Sequence, residues 1–396
     1  MPHIANARSA QFKCGLRFDR REISGAFGDL GTDLPLLAGV ILASGMDSGW
    51  TFVLFGLMQI AAGVIYGIPM PVQPLKAVAA LVIAHQLDPS VISGGAFSIA
   101  VIMLVLTLAG AIDGLARLIP RSVIRGVQFG LGLSLGWLAL SKYLPSHGIS
   151  GWLLSVTCLT ILLVFKREKR FPGAIMVLLI GVTYALSTGA DPGTLSPFSM
   201  HFQAPAVPAP QDLWLGLILL ALPQVPLSIG NSMLATRQLA DDWFPERRVT
   251  LRKIGVTYSM FNFIAALCGG IPVCHGSGGM AGQYAFGGRT GGTVVINGLF
   301  YLGIGVACFF GFNDIVALFP LPVLGAILLI ESITLMTCVR DTLQPRFDGA
   351  IALSVGLIAF WLPNGFLIGM MVGALAEALR RFPFSGTILQ SEPTKQ

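Results

Sequence analysis

The stretch PMPVQPLKAVAA, Pro69 to Ala80, places three prolines within six residues directly ahead of a run of good helix formers. Proline lacks a backbone N–H and suits the first turn of a helix but not its interior, so the pattern predicts a helix starting at Pro74. From Pro74 to about Leu87 only about 14 residues then remain, roughly 21 Å of helix at 1.5 Å per residue. Crossing hydrocarbon takes about 20 residues. The stretch therefore reads as a half-helix beginning inside an apolar layer, and such a break survives only where protein or a water-filled cavity surrounds it.

The flanking sequence supplies that layer. Of 396 residues, 54% are hydrophobic and 11% charged, and apolar runs follow one another from Ser24 to Leu379 with no block long enough for a soluble domain. Spans are expected near 24–44, 50–67, 70–87, 92–113, 122–141, 150–166, 173–188, 212–235, 254–269, 273–288, 293–311, 315–336, 348–361 and 364–380. The fold class is thus an all-α polytopic membrane protein of about 14 spans. The first run opens on the polar cluster Gly28 to Asp33 and is not followed by a small-residue cleavage site, so it is not read as a signal peptide. With both termini inside, 23 of the 25 Lys and Arg fall on the cytoplasmic side, one (Lys142) falls outside and one (Lys76) within a span. One span more or fewer would scatter this asymmetry, which is what the positive-inside rule requires. The expected location is the cell (inner) membrane. The net charge of +6 is spread over short loops, which excludes a nucleic-acid surface. Cys14, Cys158, Cys268, Cys274, Cys308 and Cys338 have no paired spacing, so neither disulfides nor a structural metal is expected.

Seven spans per half would set the second half upside down relative to the first, an arrangement common in secondary transporters. Traces of this repeat survive in order. Asp33-Leu34-Pro35-Leu36 matches Gln224-Val225-Pro226-Leu227, Ile68-Pro69 matches Ile271-Pro272, and Ile119-Pro120 resembles Phe319-Pro320, each pair lying about half the chain apart. Gly189 to Gln211, with five prolines and no Lys or Arg, reads as an extended extracellular linker.

The tenth span, IPVCHGSGGMAGQYAFGG from Ile271 to Gly288, is interrupted as well, because Gly276, Gly278 and Gly279 leave backbone amides uncovered. Two half-helices from opposed repeats would aim their N-termini at one another, where unpaired N–H groups and positive dipole ends favour an anion. The glycines would equally serve close helix packing. Candidate binding groups are Gln73, Pro74, Leu75 and Lys76 from one segment and His275, Gly276, Ser277, Gly278 and Gly279 from the other. Thr32, Gln224 and Asn231 on the first and eighth spans, with Gln283, add neutral polar groups suited to an anion that must also leave. Lys76 needs an anionic neighbour in the membrane, either substrate or Asp29 or Asp33. Those two carboxylates, at i and i+4, are candidates for ion coupling, with a proton as the expected ion. Glu331 and Glu377 fall in the other helix set, with packing or gating roles. No nucleophile with a partnered base, no nucleotide loop and no metal-ligand spacing is present, so no enzyme and no cofactor is expected.

At FGDLGTDLPL (27–36), PMPVQPLKAVAA (69–80) and PVCHGSGGMAGQYAFGGRTGG (272–292) the chain resembles the molybdate transporter family, compact relatives of the sulfate permeases. The resemblance implies a seven-plus-seven inverted repeat split into a core domain (22–121 and 212–312) and a gate domain (122–188 and 313–381), joined by the linker 189–211, with the broken third and tenth spans holding substrate. It implies import of a tetrahedral oxyanion, molybdate first and sulfate second, with a nucleobase or bicarbonate permease as the alternative, and it is compatible with a homodimer.

Overall fold

The computed structural model describes residues 16–118, 120–165, 173–189, 197–200, 205–312, 315–344 and 346–381. Expectations resting on Arg8, Lys13, the loop 166–170, residues 190–196 and 201–204 of the linker, Lys395 and the side chain of Thr32 lie outside the described residues.

A short α1 (Arg20–Ala26) is capped by Asp19, whose carboxylate accepts from the amides of Arg21 and Glu22. The chain breaks at Phe27-Gly28 and resumes as α2 (Leu30–Ser44). The first span is therefore not one continuous helix. A side chain at Gly28 would strike the Gly282 carbonyl carbon and oxygen, so the close approach of another backbone shapes the break. Next come α3 (Ser48–Tyr66), capped by Asp47, a two-residue β1 (Gln73–Pro74) and a short α4 (Lys76–His85). They are followed by α5 (Pro89–Leu108), α6 (Ile112–Leu118), α7 (Arg121–Leu138), α8 (Gly148–Val164) and α9 (Gly173–Ser187).

The second half opens on a rod from Pro210 to Trp243, 34 residues long. It comprises α10 (Pro210–Gly216), α11 (Leu222–Leu227) and α12 (Thr236–Trp243), joined by π-helical turns at Leu217–Ala221 and Ser228–Ala235. Pro223 and Pro226 cannot donate to the preceding turn, and the wider turns accommodate them. Then follow α13 (Leu251–Cys268), β2 (Val273–Cys274), α14 (Ser277–Ala285) and α15 (Gly292–Phe309). The chain continues through α16 (Leu321–Thr337), α17 (Arg346–Trp361) and α18 (Gly365–Arg381).

Among the described residues, six helices are long and apolar enough to cross a membrane. Trp137, Leu153, Val164 and Leu375 are each more than half exposed, a surface suited to lipid rather than water. α3 and α15 run antiparallel along a seam of glycines. Gly49 faces Gly305, Gly56 faces Gly298 and Gly63 faces Gly291, and in each pair an added Cβ would strike the partner helix at less than 3.0 Å. With no hydrophobic drive between helices in lipid, such small-residue seams supply close van der Waals packing. α5 packs on α13 and α10, whereas α7 packs on α16 and α17 and α8 on α16.

One expectation is corrected at the decisive stretch. Pro74 does not begin the helix: it lies in β1, opposite Val273, and the helix starts at Lys76 with Leu75 as its N-cap. A residue before proline is pushed to extended geometry, which holds Gln73 in the strand ahead of Pro74.

Candidate functional site

The two broken segments meet directly. β1 pairs antiparallel with β2, Gln73 opposite Cys274 and Pro74 opposite Val273, and the Leu75 amide donates to the Pro272 carbonyl at 3.0 Å. That amide, a candidate anion donor by sequence, is thus spent on the partner segment. Each strand is also gripped by an amide side chain from the helix before it. Gln59 on α3 donates to the Val72 carbonyl at 2.8 Å and accepts from the Val72 amide at 2.9 Å. Asn262 on α13 does the same to Val273, at 2.7 and 3.0 Å. Both side chains are fully buried. The two halves of the chain therefore use one device to satisfy an extended backbone that lipid could not hydrate.

Beyond the strands the two short helices begin, α4 at Lys76 and α14 at Ser277, and neither start is capped by a side chain. The first amides of a helix have no intrahelical acceptor. Here the earliest intrahelical bonds run from Ala79 to Leu75 and from Met280 to Gly276, so the amides around residues 76–78 and 277–279 have no intrahelical acceptor.

Gln73 is the hub behind these starts. Its Nε2 donates to Asp29 Oδ2 at 2.7 Å and to Asp33 Oδ1 at 3.3 Å, and all three side chains are buried. Asp33 Oδ2 has no hydrogen-bond partner among the described residues. The glycines divide by function. A Cβ at Gly276 would lie 1.5 Å from Gln73 Oε1, and one at Gly279 would lie 2.2 Å from Asp29 Oδ2, so both are glycine because this hub rests on them. Gly278 is different, since a Cβ there meets nothing within 4 Å.

Lys76 finds its counter-ion elsewhere than expected. Its Nζ lies 3.3 Å from Glu331 Oε2 on α16, while Asp29 and Asp33 are held by Gln73. Ser277 Oγ donates to Asn231 Oδ1 at 2.6 Å. Asn231 lines a cavity of about 560 Å³ together with Arg121, Arg125, Gln128, Gly230 and Ala235. Gln224 donates to Ser228 at 3.0 Å, and its Oε1 is buried without a partner among the described residues. His275 belongs to the scaffold. Its Nδ1 lies 3.3 Å from the Pro71 carbonyl, which can only accept, so that nitrogen carries hydrogen, and its Nε2 contacts Thr257 Oγ1 at 2.9 Å. Tyr66 and Phe261 pack edge-on against the same ring. Gln283 is buried, and its side-chain N and O have no partner among the described residues.

Gln59 and Asn262 were missed by sequence reasoning. The signal available was a buried amide one helix upstream of each Ile-Pro pair, in helices otherwise apolar around it.

The model of the family described as "Molybdate transporter of MFS superfamily" matches residues 21–135 and 216–335, more than half of the chain. The chain belongs to the molybdate transporter family. It is similar to Molybdate transporter 1 of Arabidopsis thaliana, 30% identical over 403 residues that cover 89% of this chain and 86% of that protein. It is likewise similar to Molybdate transporter 2 of the same plant, 29% identical over 430 residues, with 95% and 91% covered. Among solved structures it resembles SLC26A9, with TM-score 0.67 and 14% identity over 91% of this chain. It spans 65% of the SLC26A9 chain. The transmembrane domain of the cyanobacterial bicarbonate transporter BicA matches with TM-score 0.64 and 17% identity, covering 90% of this chain and 96% of that one. These likenesses establish an all-α membrane-transporter fold, and the protein is an integral membrane protein.

Proposed function

We propose that this protein imports molybdate as a secondary active transporter working by alternating access, with the oxyanion held between the starts of α4 and α14. The observation that carries the reading is the pair of uncapped helix starts locked together by the antiparallel β1 and β2. Two positive dipole ends and several unpaired amides at one place suit a dianion. At the two helix starts themselves the fixed positive charge among the described residues is Lys76, and a single lysine lets the ligand leave. Family membership gives the substrate class, since both Arabidopsis relatives are named molybdate transporters.

In this reading fourteen spans cross the bilayer as a seven-plus-seven inverted repeat, α1 with α2 making the first span and α10 to α12 the eighth. α1–α6 with α10–α15 form the core, α7–α9 with α16–α18 the gate, and both termini are cytoplasmic. The packing of α5 on α10 and α13, and of α7 on α16 and α17, supports that division. Asp29 and Asp33 are the groups for proton coupling, supported by their shared hold on Gln73 and by the unpartnered Asp33 Oδ2. A homodimer in the cell membrane is the assembly we assign.

The test is uptake of radiolabelled molybdate into proteoliposomes, with tungstate, sulfate and uracil as competitors. Tungstate should compete about as well as unlabelled molybdate, because amides and dipoles read charge and size. Inhibition by uracil with none by tungstate would overturn the proposal.

Gly278→Val supplies a local test. The position is open, so the variant should keep its melting temperature and size-exclusion profile, while the branched side chain stands where the anion approaches backbone. Molybdate affinity measured by titration calorimetry should fall tenfold or more, about 1.4 kcal/mol. Unchanged affinity would move the site away from α14.

Topology has its own check. Cysteines introduced at 166–170 and in the Arg237 to Lys253 region should react with impermeant reagent only from the cytoplasmic side, following the charge asymmetry. Labelling of the first loop from outside would overturn the fourteen-span arrangement.

A further inference from the structure

Lys76 is the first residue of α4 and so stands at the candidate anion site, yet its charge is already neutralised by a carboxylate. That carboxylate comes from the middle of α16. α4 and α16 both pack on α2 and α7 but hardly on each other, so the Lys76 and Glu331 side chains make a direct link between two helices that otherwise meet through shared neighbours. Lys76 is 39% exposed and Glu331 18%, so the pair borders open space and is not sealed in a core. The acids closer in sequence, Asp33 on α2 and its N-cap Asp29, are held instead by Gln73.

We infer that Glu331 is a built-in competitor for the oxyanion: its carboxylate neutralises Lys76 when no substrate is bound, and an arriving anion takes Lys76 over and so unlatches α16 from α4. This rests on the reading of the two helix starts as the oxyanion site.

An ammonium in the membrane stays charged only beside an anion. Two anions can provide that here, one tethered to α16 and one diffusible, and both cannot hold a single lysine at full strength. Exchange of one for the other converts occupancy of the site into a change in the direct link between α4 and α16. A ligand shifts a conformational equilibrium by as much as its affinities for the two states differ, and this exchange supplies such a difference. Without substrate the pair holds α4 to α16, which opposes relocation of the empty site and limits leak. The exposure of both side chains lets the exchange happen without prior unfolding of the interface.

The test is calorimetric titration of molybdate into purified wild-type protein, Glu331→Gln, Lys76→Gln and the double variant, with initial uptake rates in proteoliposomes. Glu331→Gln removes the competitor at nearly constant volume. It should bind molybdate about tenfold more tightly and lower both KM and the maximal rate. Lys76→Gln should bind more weakly. In the double variant the gain from Glu331→Gln should vanish, an outcome that a merely structural role for Glu331 would not produce. Glu331→Asp keeps the charge with a shorter reach and should fall between wild type and Gln, which keeps the inference testable if the Gln variant misfolds. Unchanged affinity in Glu331→Gln, or an equal gain with and without Lys76, overturns the latch while leaving molybdate binding by the wild type, and hence the proposed function, intact. Wild-type protein that binds neither molybdate nor sulfate overturns both.

Discussion

Replacing Gly276 with alanine should abolish molybdate binding, although the substitution adds a single methyl group. The new Cβ would sit 1.5 Å from Gln73 Oε1 and 2.7 Å from its Cδ, so the glutamine has to leave. Its Nε2 also holds Asp29 and Asp33, and both acids lose that donor in the buried hub. A buried polar group left without its partner costs about 1–3 kcal/mol, more when charged. The shift also reaches the start of α14, for which Gly276 is the N-cap. Titration calorimetry should find affinity reduced at least a hundredfold, about 2.7 kcal/mol, with a lower melting temperature. Adding Gln73→Ala to the same protein makes room for the methyl group. It should restore part of the thermal stability without restoring binding, a non-additivity expected only if the two residues meet as described. A Gly276→Ala protein that binds like wild type would mean that Gln73 does not organise the site.

The second large effect is expected at the amides that grip the strands. Asn262→Leu has nearly the same shape but leaves the Val273 N–H and C=O without partners. At about 1–3 kcal/mol per orphaned group, the loss approaches the whole margin of a marginally stable fold. Gln59→Leu should behave alike at Val72, and it also takes a donor from Asn297 Oδ1. Both variants should melt well below wild type in detergent and fail to bind molybdate. Conservative Asn262→Gln should not rescue, because the longer arm cannot reach both groups of one residue from the same place on α13. Wild-type melting temperatures in both leucine variants would show that water, not the side chain, satisfies these strands.

Helix positions and the two interrupted segments were legible because apolar runs and Pro or Gly breaks are local signals. The strand pairing was not. Proline chemistry predicts where a helix can begin but not that the Leu75 amide bonds to Pro272, far along the chain. The Ile-Pro match is offset from the strand pairing for a related reason. Ile68-Pro69 resembles Ile271-Pro272, but the first half of the chain carries two further residues, Met70 and Pro71, before the valine that matches Val273. They are taken up in a tight turn in which the Met70 amide donates to the Ile68 carbonyl at 2.7 Å. Pro71-Val72 is thus the structural counterpart of Pro272-Val273, each valine gripped by its own upstream amide. The polar cluster Gly28 to Asp33 was compatible with a hinge in the first span as well as with a continuous helix, and the sequence could not decide because the cause of the break, the backbone at Gly282, lies in the other half of the chain. The partner of Lys76 escaped for the same reason, since Glu331 lies in the half that does not supply Asp29 and Asp33.

The β1 and β2 pairing also constrains how this protein can be made. The first extended segment leaves the ribosome long before its partner exists, and at about 5–20 residues per second the intervening chain takes about 10–40 s to synthesise. Throughout that interval the insertion machinery holds a nascent chain in which the Leu75 amide has no Pro272 carbonyl to meet. Lipid offers it no substitute. Arrested chains ending before residue 270 should therefore stay open to protease around residues 69–75, and chains carrying residues through 290 should not. The paired strands close late in translation, as the second half of the chain delivers the other half of a sheet that the first cannot complete alone.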